Sequence, residues 1–206
     1  MSINDIVITG ASGFIGKNLI IFLKKKKLKF KAYSRSKTNY SIKINNYKNI
    51  KVKNNSILIY LSQSNTIKPK YVKELQQLRD ILKHKWSYII FFSSTKIYKK
   101  SNKLSDENSK INEDNNYNKL KINSEKILNK TNIKSAILRI TNVYGPNFNK
   151  NTLLYDILSN VKKKNNIVKK NKFEYIDILN IEDLNNLIFK LVKKKLSGIF
   201  NVASGK

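Results

Sequence analysis

The sequence predicts an α/β protein, a doubly wound parallel sheet with helices on both faces. Short apolar runs rich in β-branched and aromatic residues recur at 6–8, 56–61, 88–92 and 135–140. Longer amphipathic segments separate them, and this alternation of the two periods is the pattern of strand–helix–strand units. The first run also breaks into a glycine-rich turn that opens a helix. At 206 residues the chain is long enough for one well-buried core, or a core with a small appendage.

Residues 6–8, Ile-Val-Ile, form the first predicted strand, and the chain breaks at Gly10. Gly10, Gly13 and Gly16 then fall at three-residue spacing, with a helical apolar pattern on Phe14, Ile15, Leu19 and Ile20. The whole chain has six glycines, so three within this one turn is a concentrated signal. A first glycine permits the sharp turn, a second lets a pyrophosphate reach the backbone, and a third lets the helix pack close to the strand. The helix start offers free N–H groups and a partial positive charge to phosphates. The stretch reads as a dinucleotide site, with Gly10, Ser12, Gly13, Phe14, Ile15 and Gly16 as cofactor-binding candidates.

The first helix is predicted over about 14–25, and the alternating run 28–33 as a second strand. About 20 residues beyond such glycines, an acidic side chain binds the ribose 2′-OH of NAD, whereas arginine accepts the 2′-phosphate of NADP. No Asp or Glu occurs between Asp5 and Glu74, and Arg35 stands there with Lys37 beside it, so NADP(H) is favoured over NAD(H). Residues 39–55 are polar and weakly patterned, with room for one short strand. A buried strand over 56–62 follows, then an amphipathic helix over 71–83 on Val72, Leu75, Leu78, Ile81 and Leu82. His84, the only histidine, reads as a helix-terminal surface residue, so neither a metal centre nor histidine catalysis is expected. Later strands are predicted within 88–98, which includes an exit loop, from 135, from 178 and within 198–205.

Tyr-x-x-x-Lys occurs three times, as Tyr33/Lys37, Tyr47/Lys51 and Tyr117/Lys121. Only the last lies in a helical segment after the Ser94 strand, and four-residue spacing puts both side chains on one helix face. A free phenol, with a pKa near 10, is a poor base at neutral pH; a neighbouring ammonium is expected to favour its phenolate.

Taken together, Thr9-Gly10-Ala11-Ser12-Gly13-Phe14-Ile15-Gly16 resembles the opening of the extended short-chain dehydrogenase/reductase family, which includes nucleotide-sugar epimerases, dehydratases and ketoreductases. Further segments are similar in the family's order: Ser93-Ser94 to Tyr98, the Tyr117–Lys121–Glu125 helix, Arg139 to Pro146, and Gly198 to Gly205. The resemblance implies a Rossmann-like fold over 1–206, with about 146–180 contributing a partial, reduced C-terminal substrate lobe. It implies Ser94, Tyr117 and Lys121 as the catalytic set, with Tyr117 and Lys121 also touching the cofactor. Leu61 and Ser62 would line the cofactor, while Ser94 and Asn142 would touch substrate; Arg139 is given a structural part. Lys99 stands where the family usually has glycine. Thr95 and Lys96 replace the Asp-Glu pair of the dehydratase branch, so dehydration is not the expected reaction. The expected function is a ketoreductase or epimerase of a nucleotide-sugar, acting as a homodimer. Two alternatives stay open: a degenerate or truncated member that binds dinucleotide without turnover, and a polyanion- or nucleic-acid-binding protein.

Composition supports only the last of these. The formal net charge is +29, yet three of the 42 basic residues are arginines (Arg35, Arg79, Arg139). The lysine runs at 24–27, 162–164 and 193–195 fall where helices should end, a favourable place for cations. They read as spread along the chain rather than stacked on one face, and no recognition module accompanies them, so nucleic acid is not the expected partner. Cysteine is absent, Asp5 and Gly10 interrupt the only N-terminal apolar run, and no apolar stretch reaches the ~20 residues that span a bilayer. The expected location is the cytoplasm.

Overall fold

A computed structural model describes residues 5–63, 70–101, 103–146, 155, 159–160 and 176–205. Alternation within each buried strand decides the architecture. In β1 (Ile6–Thr9), Ile6 and Ile8 face one core and Val7 the other. The same division holds in β4 (Ser56–Tyr60), β5 (Trp86–Ser94) and β6 (Ser135–Ile140). Thus Ile57, Ile59, Ile90 and Leu138 join the first core, and Leu58, Ile89, Phe91 and Ile137 the second. A strand apolar on both sides needs cover on both, and helices supply it. On the first face lie α1 (Phe14–Lys25), through Leu19 and Leu23, and α4 (Ile181–Lys194), through Leu184 and Ile188. On the second lie α2 (Tyr71–Leu82), through Leu78 and Ile81, and α3 (Asn116–Asn129), through Leu128.

With β2 (Phe30–Ser34), β3 (Ile42–Lys43) and β9 (Gly198–Val202), these strands form one seven-stranded sheet in the order β3-β2-β1-β4-β5-β6-β9. All six neighbouring pairs are parallel. β1 has β2 on one side and β4 on the other, so the chain reverses its direction of winding at β1. Ligands of such sheets lie at that switch, over the carboxyl ends of the strands.

Two predicted strands shift. The second begins at Phe30 rather than Leu28, because the Leu28 N–H donates to Leu23 O (3.1 Å) and closes the end of α1. The strand starting at Ser135 ends at Ile140, and β7 (Asn142–Tyr144) then pairs with β8 (Ile178–Asn180) in a separate two-stranded sheet. At the far edge of the main sheet, β9 is covered by a loop: the Asn201 N–H donates to Glu107 Oε1 (2.6 Å) and its side-chain amide to Ser105 O (3.1 Å).

The fold also corrects the reading of the lysine runs. α1 leads into β2, α2 into β5, α3 into β6 and α4 into β9, so these four helices end at the amino edge of one sheet. The runs at 24–27 and 193–195, far apart in sequence, therefore meet at one edge. The run at 162–164 and most of the 146–180 segment assigned to a partial substrate lobe lie outside the described residues.

Candidate active site

Two clusters sit at the carboxyl edge, and the glycine turn makes the first. Gly10 has φ +69°, a left-handed conformation that favours glycine, and a Cβ there would lie 2.5 Å from Leu61 O. A Cβ on Gly16 would lie 2.5 Å from Gly10 O, so the start of α1 is pressed onto the turn. The Ala11 N–H donates to Tyr33 O (3.2 Å), tying the turn to β2. α1 has Gly13 as its N-cap, no side-chain cap and no acidic residue in its first turn. Its terminal N–H groups thus carry the helix's positive end with no acidic side chain in that first turn to offset it. By contrast α3 and α4 are capped by the Asn115 and Asn180 side chains.

Around this turn the structure gathers Ser12, Phe14 and Ile15, all half-buried, with Gly13 exposed. Ser62 is buried and accepts from Tyr47 Oη (2.5 Å). Arg35 follows β2 and is exposed; Ser34 Oγ contacts Ser41 Oγ (2.6 Å) and so draws its loop into a tight turn.

The second cluster is built on α3. Tyr117, Lys121 and Glu125 repeat every fourth residue and share a face. The Ser94 side chain lies beside the Tyr117 hydroxyl, near enough to favour its phenolate. Ser94 ends β5, is buried, and accepts from the Lys96 N–H (3.2 Å). Lys121 Nζ donates to Phe92 O (2.9 Å) and Gln63 Oε1 (3.2 Å) and lies 5.7 Å from the centre of the Tyr117 ring. Burial pushes the Lys121 ammonium down to about 8, while Glu74 and Glu125 pull the other way. Burial likewise raises the Tyr117 phenol above its ordinary value, against the Ser94 side chain that lowers it. The expected net lowering of the Tyr117 phenol is therefore corrected: desolvation outweighs the effect of Ser94, and Tyr117 is held as a neutral phenol.

A buried ion pair anchors this helix. Arg139 on β6 donates from Nη2 to Glu125 Oε2 (2.7 Å) and from Nε to Oε1 (3.2 Å), and Ser93 Oγ also donates to Glu125 Oε1. Arg139 Nη1 reaches Tyr98 Oη (3.0 Å), which in turn donates to Asn201 (2.6 Å). Asn142 opens β7 and is exposed, two residues beyond Ile140, the position paired with Ser94.

The structure sets Ser94 and Lys121 beside Tyr117, and Lys121 is joined to the glycine side through Gln63, next to Ser62. Among the described residues, neither Arg35 nor Asn142 is hydrogen-bonded to another candidate. Gln63 was missed by sequence reasoning. Its Nε2 also donates to Ser124 Oγ (2.5 Å), and the only signal was its place directly after the buried strand.

A family model described as the NAD dependent epimerase/dehydratase family matches residues 62–203. Among solved structures, the chain is similar to UDP-N-acetylglucosamine 4-epimerase from Bacillus cereus, with 19% identity, a TM-score of 0.83 and coverage of 98% of this chain and 76% of that one. It is also similar to UDP-N-acetylglucosamine 4-epimerase from Methanobrevibacter ruminantium M1, solved with UDP-N-acetylmuramic acid (17%, 0.81, covering 100% and 78%). A third likeness is to an NAD-dependent NDP-hexosamine 5,6-dehydratase of tunicamycin biosynthesis (18%, 0.80, covering 98% and 76%). A search of curated proteins found no match. At these identities the structural likeness establishes the Rossmann-like fold.

Proposed function

Because the chain belongs to the NAD dependent epimerase/dehydratase family, we propose that it is an NAD(P)-dependent oxidoreductase of a nucleotide-activated sugar, working as a ketoreductase or epimerase. The observation that carries this reading is Tyr117 set between Ser94 and Lys121, whose ammonium lies 5.7 Å from its ring, with an uncapped glycine turn at the same edge. The residues fit a dinucleotide: the α1 terminus turns its positive end, without a side-chain cap, toward the place of a pyrophosphate, and the close-packed glycines let it approach the backbone. The bound nicotinamide would supply or accept the hydride, and its oxidised form would add a positive charge beside the phenol.

Tyr117 and Ser94 hydrogen-bond the oxygen at the reacting sugar carbon, and Tyr117 gives or takes its proton. A phenol held neutral suits the donating direction, reduction of a keto group. Lys121 holds the nicotinamide ribose and stabilises the phenolate that donation leaves behind. Asn142, exposed two residues beyond the strand position paired with Ser94, is a substrate contact. Arg35, at the end of β2, accepts the adenosine 2′-phosphate, favouring NADP(H) although the relatives named above are described with NAD where a cofactor is given. Thr95 donates to Ile140 O (3.4 Å) and Lys96 is exposed, so neither position after Ser94 offers the carboxyl a dehydratase needs. A homodimer completes the proposal, with Val72 on α2, 78% exposed, as an apolar position it would cover.

The test is a fluorescence titration with NADPH and NADH, followed by a screen of UDP-sugars and their 4-keto forms. Saturable binding that favours NADPH, weakened about tenfold by Arg35→Ala with NADH unaffected, is expected. Turnover should fall about 10²–10⁴-fold in Tyr117→Phe with cofactor binding retained. Binding without turnover on any nucleotide-sugar would instead favour a dinucleotide-binding role, and absence of binding would sink the reading.

A further inference from the structure

The convergence of the helix ends has a consequence for partners. At the amino edge of the sheet stand the lysines at 24–27 from α1, Lys83 and Lys85 after α2, Lys130 and Lys134 after α3, and those at 193–195 from α4. All are exposed except Lys195, which is half-buried. Lys29, Lys51 and Lys53 line one shallow cavity with Asp5 at the same edge. A helix end carries only about half a negative charge, so one lysine offsets it. α1 and α4 each bring three or more. The carboxylates at this edge are already paired, Asp5 with Lys53 (3.0 Å) and Asp80 with Lys83 (3.3 Å). Other acids lie opposite: Asp106, Glu107, Glu113 and Asp114 precede α3, and Glu182 and Asp183 open α4. Lys99, Lys103, Lys110 and Lys119 share that opposite edge with these acids, so among the described residues the unoffset positive charge is concentrated on the edge away from the candidate active site.

We propose that this amino edge docks on an anionic lipid bilayer, leaving the dinucleotide edge turned to the aqueous side. Lysine ammoniums act as point charges and suit a diffuse negative surface, where each adds attraction within a Debye length. Nucleic acid would call for arginine forks or exposed aromatic rings on which bases stack. Arg79 is the arginine near this edge; Arg35 is at the opposite edge and Arg139 is buried. The exposed large apolar residues among those described are all aliphatic, and Leu196, 50% exposed, directly follows the 193–195 run. A leucine amid lysines adds a small apolar contact to the headgroup layer. No helix among the described residues is long and apolar enough to cross a membrane, so the association is peripheral.

Co-sedimentation with vesicles tests this on the full chain. Vesicles of phosphatidylcholine with about one third phosphatidylglycerol should bind it at about 0.05 M salt and release it at about 0.5 M, and pure phosphatidylcholine should not bind it. A variant carrying Lys24→Gln, Lys25→Gln, Lys85→Gln and Lys194→Gln should bind about tenfold more weakly or worse. A control with the same charge change at the opposite edge, Lys99→Gln, Lys103→Gln, Lys110→Gln and Lys119→Gln, should lose less than about threefold. Circular dichroism and the dinucleotide titration confirm that both variants are folded. Equal losses in the two variants, no binding to the anionic vesicles, or tighter binding of a short DNA duplex at the same salt would each overturn the proposal.

Discussion

Lys121 is a cation kept where a cation is costly. Its ammonium is almost fully buried, donates to Phe92 O and Gln63, and has its pKa depressed to about 8 from 10.5, chiefly by desolvation. Between those two values the unfolded chain binds a proton that the native chain has released, so stability rises with pH across that window. Measured against Lys121→Met, which does not titrate, the wild type should gain up to about 3 kcal/mol in urea unfolding as pH climbs from near 8 towards 10.5. A gain that falls instead would show that Lys121 is more stably charged in the fold than in the unfolded chain. At this scale the sequence was readable where spacing is diagnostic. Tyr117 and Lys121 are one helical turn apart and follow the Ser94 strand. Gln63 was not readable, because a lone amide after a strand belongs to no pattern. Nor was the Tyr117 shift, since burial of a half-hidden phenol depends on chain segments far from it in sequence.

Helix α3 carries the proposed catalytic pair, and its seating is set by charge. Glu125, two turns beyond Tyr117, is locked to Arg139 by two hydrogen bonds and to Ser93, the neighbour of Ser94. Since Ser93, Ser94 and Arg139 sit on adjacent paired strands, this anchor fixes how far along β5 the Tyr117 hydroxyl falls. Removing one partner of a buried pair leaves an uncompensated charge, so Arg139→Met should cost about 3–5 kcal/mol. In Glu125→Gln/Arg139→Met, with no charge left stranded, chemical denaturation should recover much of that loss. Turnover of the double variant should stay reduced even where it is fully folded, because the helix has lost its registration. The helices themselves were legible from apolar spacing: α1 spans the predicted 14–25 and α2 ends one residue short of the prediction. Their partners were not, because Glu125 and Arg139 are 14 residues apart and nothing local marks them as a pair.

For the whole molecule, parallel topology converts sequence order into two chemically different edges. Alternating strands and helices were enough to read the doubly wound sheet, as each buried strand carries apolar residues at consecutive positions. The gathering of lysines was not read, because it follows from a global rule: each of α1 to α4 returns the chain to the start of a strand. The small β7–β8 sheet escaped for a similar reason, as its two strands are separated by residues 145–177. One detail of the sheet's border bears on how the protein behaves when crowded. The outer side of β9, a row of backbone groups with half-buried Ile199 and Phe200, is a template on which a second chain could add a strand. Glu107 occupies the Asn201 N–H and places a negative charge there, while Ser105 holds the neighbouring amide. Glu107→Ala should leave unfolding free energy within about 1 kcal/mol of wild type yet raise light scattering on concentration, a loss of colloidal protection without a loss of fold. The loop before α3 therefore does two things at once: it carries the chain to Tyr117 and covers the open border of the sheet at Asn201.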